Sequence, residues 1–157
     1  MNSILQIGNA CVGCRSCEQS CPMQCITMVE NQEGFLYPCI DDKKCINCGK
    51  CLVHCPEMDR EIKKHEVLGT YGLKHKDKDR IINSASGGAS DAFAQYIIKE
   101  NGIVFGCAYD ENMRAHHIEI DNIDELWKIQ SSKYVQSDLE DSYYQIENYL
   151  EKGKKVL

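Results

Sequence analysis

The sequence has little that would place it in a membrane or on nucleic acid. No apolar run approaches the ~20 residues of a membrane-spanning helix. The opening Met1-Asn-Ser-Ile-Leu-Gln lacks the basic residues and the long apolar stretch of a secretory leader. Positive charge is also short, since 18 Lys and Arg stand against 24 Asp and Glu for a formal charge of −6. Nucleic-acid binding relies on neutralising phosphates with Lys and Arg, so this balance argues against it. An acidic surface fits docking to basic patches on a redox partner, although it is also the ordinary condition of soluble proteins. Cysteine is missing from most of the chain: after residue 55 it occurs once, at position 107. These shortages predict a cytoplasmic chain without a membrane span, kept in a compartment reducing enough to preserve thiols.

What is abundant is cysteine near the start, where one pattern is written twice. Cys11-Val-Gly-Cys14-Arg-Ser-Cys17-Glu-Gln-Ser-Cys21-Pro22 is repeated 34 residues later as Cys45-Ile-Asn-Cys48-Gly-Lys-Cys51-Leu-Val-His-Cys55-Pro56. Both copies have the C-x2-C-x2-C-x3-C-P spacing that holds cubane iron–sulfur clusters, with the fourth cysteine of each run serving the other run's cluster. Three thiolates two residues apart in a tight loop can reach three corners of one cube, and the short helix that follows carries the fourth away. The pattern therefore assigns one 4Fe–4S cluster to Cys11, Cys14, Cys17 and Cys55, and a second to Cys45, Cys48, Cys51 and Cys21. Structural zinc competes poorly, because its frameworks pair short C-x2–4-C or H-x3–5-H elements. Disulfides compete less well still, given an odd cysteine count and no secretory context. Cys25 and Cys39 have no counterpart in the other copy and read as small buried fillers. Gly13 and Gly49 permit the tight loops and would let backbone amides approach the cluster sulfurs.

Around these loops, Ile4 to Ile7 reads as a short strand, Cys25 to Val29 as a second, Asn31 to Gly34 as a turn and Phe35 to Tyr37 as the returning strand. This half has too little apolar material for an independent core, so the clusters must supply much of its cohesion. The charged stretches Asp59 to Glu66 and Lys74 to Arg80 place a boundary near residues 60 to 66. Beyond it the pattern alternates helix and strand. Ala89, Ala92, Phe93, Tyr96 and Ile97 form an apolar stripe on a helix ending at Asn101-Gly102, and 103–109 is an unbroken apolar run that suits a strand buried on both faces. A strand over 115–120 and a short helix capped by Asn122 follow. Ser137 and Glu140 spell a capping box for a last helix carrying Leu139, Tyr143, Ile146 and Leu150 and stopped by Gly153. A further strand begins at Lys154, as in a fragment of a longer domain. Cys107 reads as inert packing, and His116 and His117 fall on opposite faces of their strand.

One more stretch invites a ligand: Ser84-Ala-Ser86-Gly87-Gly88-Ala-Ser90, a small-residue loop opening a helix. Free amides and the helix dipole suit a phosphate there, yet Ser with Gly before a helix is often only a cap. It is neither a P-loop nor a dinucleotide-binding fingerprint.

Residues 1 to about 60 resemble a bacterial-type two-cluster ferredoxin domain, with eight cysteines and both flanking prolines in register. Residues 67 to 157 resemble the front of the beta subunit family of coenzyme F420 (deazaflavin) hydrogenases and dehydrogenases. That likeness is carried by Arg80, Ser84-x-Ser86-Gly87-Gly88, Phe105-Gly106-x-Ala108-Tyr109-Asp110, His117 and Ser132-Lys133-Tyr134-Val135-Gln136-Ser137. It implies an iron–sulfur flavoprotein with FAD bound partly by Ser86, Gly87 and Gly88, Lys133 beside the flavin, and deazaflavin as a possible substrate. On its residues alone, Lys133 is equally a surface lysine.

The expectation is therefore an α+β two-cluster ferredoxin-like domain over 1–62, followed by an α/β flavoprotein-type domain over 63–157 that is cut short at its C-terminus. Its function would be that of an oxidoreductase passing electrons between a flavin and a redox protein partner or catalytic subunit through two 4Fe–4S clusters. No residue declares itself catalytic toward a substrate. The competing reading is a non-catalytic ferredoxin-type carrier with an α/β docking domain.

Overall fold

The computed structural model describes residues 3–58 and 66–157. The chain divides into two compact units, residues 1–65 and 66–157. The boundary expected at 62/63 lies outside the described residues.

In the first unit, an irregular 3-10 segment, Ile4–Ala10, leads into the first cysteine loop. A strand was expected over Ile4 to Ile7; the segment turns on itself instead, with Gln6 N–H donating to the Ser3 carbonyl and Gly8 kinked at φ 51°. Helix α1 (Ser16–Gln19) follows the first three cysteines, and α2 (Lys50–Val53) follows the corresponding three of the second copy. Between them, β1 (Ile26–Glu30) and β2 (Leu36–Ile40) form an antiparallel hairpin in the register Ile26↔Ile40 to Glu30↔Leu36. Asn31 closes the hairpin: its side-chain oxygen accepts from the Glu33 and Phe35 amides, and Gly34 adopts φ 84°.

The core of this unit is made largely of thiols. Its buried residues are Ile4, Cys17, Cys21, Cys25, Ile26 and Cys55. Two buried isoleucines contribute only about 3–6 kcal/mol, far less than the entropy of ordering such a unit. Cys39 faces solvent in β2, so it is not the small buried filler expected of a free cysteine outside the repeat. Alternation along the strand turns it away from buried Pro38.

In the second unit, α3 (Lys78–Ile82), α4 (Ala89–Lys99), β3 (Val104–Tyr109), β4 (Ala115–Ile120), a 3-10 helix (Ile123–Ile129) and α5 (Ser142–Glu151) follow in order. β3 pairs antiparallel with β4, from Val104↔Ile120 to Tyr109↔Ala115. On its other edge β3 meets the last residues in parallel, where Leu157 N–H donates to Ile103 O and Phe105 N–H donates to Leu157 O. The core is Ala94, Val104, Ile120 and Leu126, flanked by Ile97, Ile98, Ile118, Ile123 and Ile129.

Two details depart from the sequence reading. The buried face of α4 carries Asp91 and Ala94, while Ala92, Phe93 and Tyr96 face outward. The helix is rotated from the expected stripe because Asp91, its side chain 1% exposed, is held inward by polar partners. The capping box before α5 is also absent: the helix starts at Ser142, and the Ser137 hydroxyl instead meets His117 Nδ1 at 2.8 Å. Asp138 is drawn to the sheet, exchanging backbone hydrogen bonds with His117 N–H and Ala115 O. Asn122 does cap its helix, accepting from Asp124 N–H at 3.0 Å.

Candidate metal centres

Each cysteine loop owes its shape to two residues in the left-handed region. In the first copy these are Gly13 (φ 65°) and Arg15 (φ 58°), and in the second Asn47 (φ 54°) and Gly49 (φ 75°). The positions correspond, since each lies 34 residues from its partner, although the glycine is at the first in one copy and at the second in the other. The backbone repeat is thus closer than the side-chain repeat.

The loops and the helices behind them line two separate cavities of the first unit. One is lined by Cys11, Cys14, Cys17 and Cys55, together with Ile4, Ile7, Val12 and Met28. The other is lined by Cys21, Cys45, Cys48 and Cys51, and additionally by Cys25. Each short helix begins at one cavity and ends at the other. Four residues of helix advance about 6 Å, which takes the chain from Cys17 in the first cavity to Cys21 in the second. Cys51 and Cys55 repeat the step in the reverse direction. Ser16 Oγ donates to the His54 carbonyl at 2.9 Å and ties the start of α1 to the residue before Cys55. Glu18 braces the same corner, accepting from Arg15 Nη1 at 2.6 Å and from the Met28 amide at 3.1 Å.

The thiols differ in acidity. Burial, reinforced by Cys14 and Cys11 nearby, pushes the Cys17 pKa up to about 12 from 9.0. Burial also pushes Cys25 up to about 12, helped by its contacts with Cys21 and Cys45. Burial acts on Cys21 in the same direction, but hydrogen bonds from the Cys25 amide and thiol and the Met23 and Gln24 amides outweigh it and lower its pKa. The donor sets fit iron–sulfur clusters: each cavity offers four soft thiols from three loop positions and one swapped position, on apolar walls. Among the described residues, no three Cys, His, Asp or Glu side chains converge on the position of a single metal ion.

In the second unit, the Ser84–Ser90 loop lines a polar cleft of about 400 Å³ shared with Tyr71, Leu73, Ile129, Ser131 and Ser132. Gly87 is needed for packing, because a Cβ there would stand 2.4 Å from the Leu73 carbonyl oxygen. The close approach is fixed by His75 N–H donating to Gly87 O at 2.6 Å. Gly88 starts α4 with φ 78° against His75. Beneath the loop, Asp91 accepts from Arg80 at 3.3 Å, Gln95 at 2.7 Å and Gln130 at 3.1 Å. Lys133, expected beside a flavin, uses its ammonium on the carbonyls of Gln130 at 2.6 Å and of Lys128 and Ser131 at 3.4 Å. Cys25 is the site residue that the sequence reading set aside; its only signal there was its spacing of four from Cys21.

Comparison with known proteins bears on the first unit. Residues 10–58 match the family model described as a 4Fe-4S dicluster domain. An ion-translocating oxidoreductase complex subunit from Methanosarcina acetivorans is 35% identical over 63 residues, which is 40% of this chain and 21% of that protein. An uncharacterised protein of Methanocaldococcus jannaschii is 45% identical over 47 residues, 30% of this chain and 15% of its own length. The chain thus matches less than a quarter of either relative. The first unit is a ferredoxin-type 4Fe–4S domain serving iron–sulfur electron transfer, and a mixed α/β region follows it.

Proposed function

We propose that this chain is an electron-transferring subunit of an iron–sulfur flavoprotein oxidoreductase. Two 4Fe–4S clusters, one on Cys11, Cys14, Cys17 and Cys55 and the other on Cys45, Cys48, Cys51 and Cys21, would supply one-electron steps between a flavin and a redox partner. The observation that carries this reading is the sorting of the eight cysteines into two cavities, with Cys21 and Cys55 exchanged. The flavin half rests on the polar cleft at Ser86, Gly87 and Gly88, whose volume lies in the range of small-molecule sites. Lys133 does not itself line that cleft, but by gathering three carbonyls it fixes the turn that carries Ser131 and Ser132. Deazaflavin is the substrate that the family resemblance of residues 67–157 implies, and a redox protein or catalytic subunit is the partner.

A carrier without flavin is the second reading, favoured by the match to a component of an ion-translocating oxidoreductase complex. Here the second unit would dock to other subunits. Anaerobic purification followed by metal, sulfide and visible-absorption analysis separates the two. The flavoprotein reading expects about eight irons and eight sulfides per chain, with flavin bands that persist after the iron is extracted. Clusters without flavin support the carrier, and a colourless zinc protein overturns both.

A further inference from the structure

Cys25 lies outside both four-cysteine sets, yet it lines the second cavity with Cys21, Cys45, Cys48 and Cys51. Only 4% of it is exposed, and its Sγ stands 3.4 Å from that of Cys21. Its place is fixed from both sides. Asp41 N–H donates to the Cys25 carbonyl at 2.8 Å, and Ile26, the next residue, opens the β1–β2 ladder opposite Ile40. The first cavity has no fifth thiol among its lining residues, so the two sites differ here.

We propose that Cys25 is a positioning residue for the second cluster, donating an S–H···S hydrogen bond to the Cys21 sulfur. A cysteine bound to iron is a thiolate without a proton, so within this pair only Cys25 can donate. Hydrogen bonds to cluster sulfurs help set the reduction potential. A donor stabilises the more negative, reduced cluster and therefore raises its potential. Cys25 thus gives two clusters with near-identical ligand loops different potentials, so that an electron entering the unit prefers the second cavity to an extent that Cys25 sets.

This inference rests on Cys21 being a ligand of the second cluster, and a separate variant tests that premise. The double variant Cys21→Ala/Cys25→Ala, in which the neighbouring thiol cannot take over, should lose or convert one of the two clusters; two unaltered four-iron clusters in it would defeat the premise. For Cys25 itself, the full chain is loaded anaerobically and titrated with spectroscopic detection of each reduced cluster. Cys25→Ala, with eight irons retained, should shift one potential to more negative values and leave the other in place. A single lost hydrogen bond predicts about a threefold to tenfold change in the reduced-to-oxidised ratio, tenfold being about 59 mV for one electron. Cys25→Ser keeps a donor and should restore the wild-type potential. If Cys25→Ala cannot hold the second cluster, Cys25→Ser must hold it at the wild-type potential for the proposal to stand. Unchanged potentials in Cys25→Ala, equal shifts of both clusters, or identical behaviour of the Ala and Ser variants would overturn it. So would loss of an iron from both Cys25 variants, which would make Cys25 a ligand.

Discussion

Left-handed backbone at two positions in each cysteine loop is what aims three thiols into one cavity. Glycine adopts that conformation freely, whereas other residues pay about 1–2 kcal/mol. Gly49 at φ 75° has open space where a Cβ would go, so an alanine there meets strain but no clash. Gly49→Ala should destabilise the loaded protein by about 1 kcal/mol, read as an earlier midpoint for loss of cluster absorbance in urea. An unchanged midpoint would contradict the assigned geometry. The sequence exposed Gly13 and Gly49 as loop glycines but treated them as equivalents. They occupy different places in the repeat, and of the residues completing each loop, Asn47 is a type that adopts positive φ readily whereas Arg15 carries no such mark. Arg15 is held there by its 2.6 Å contact with Glu18, a contact that becomes apparent only once α1 has formed.

Among the elements, α4 shows most clearly how buried polar chemistry overrides an apolar pattern. Counting hydrophobic residues selects the face with Phe93 and Tyr96, but Asp91 turns inward to Arg80, Gln95 and Gln130, and the helix follows it. A pattern of apolar residues cannot register an aspartate whose partners come from 11 and 39 residues away. Replacing it by Asp91→Ala should cost about 2–3 kcal/mol in denaturant unfolding of the second unit, moderated because Arg80 can turn to water. A loss below about 0.5 kcal/mol would mean that the network does not hold the loop.

In α5 the relevant group is Tyr149, whose hydroxyl donates to Glu119; that bond, with burial and the Glu119 and Asp121 charges, raises its ionisation above 10.0. Above pH 10 the unfolded tyrosine gives up its proton while the folded one keeps it, so the unfolded state binds fewer protons and stability falls with rising pH. The contribution is fully present below pH 10 and is lost as pH climbs through the raised value. Tyr149→Phe should therefore flatten the alkaline decline of thermal stability, and a decline as steep as wild type would contradict this assignment.

For the molecule as a whole, the two units differ in what holds them together. The first buries four cysteines beside two isoleucines, whereas the second has an aliphatic core of Ala94, Val104, Ile120 and Leu126. Stripping iron from the full chain should therefore abolish amide protection in β1 and β2 while leaving it in β3 and β4. Equal retention in both hairpins would show that the first unit does not depend on clusters.

The grouping of the thiols and the small apolar core of the first unit were legible in the sequence, because the repeat spaces its cysteines regularly and the composition there is poor in apolar residues. The 3-10 turn at Ile4 and the diversion of Ser137 from a helix cap were not legible. Each depended on a partner distant in sequence: a strand to pair with, which Ile4 lacks among the described residues, and His117, which captures the Ser137 hydroxyl. Crosswise ligation is the claim on which the rest of the first unit turns. Its most direct test is a crystal structure of the anaerobically loaded chain with anomalous scattering measured at the iron edge. The account predicts two separate four-iron cubes, with Cys21 Sγ bonded to the cube of Cys45, Cys48 and Cys51 and Cys55 Sγ to that of Cys11, Cys14 and Cys17. Cys21 bonded to the cube of its own run, or isolated metal ions in place of cubes, would contradict it.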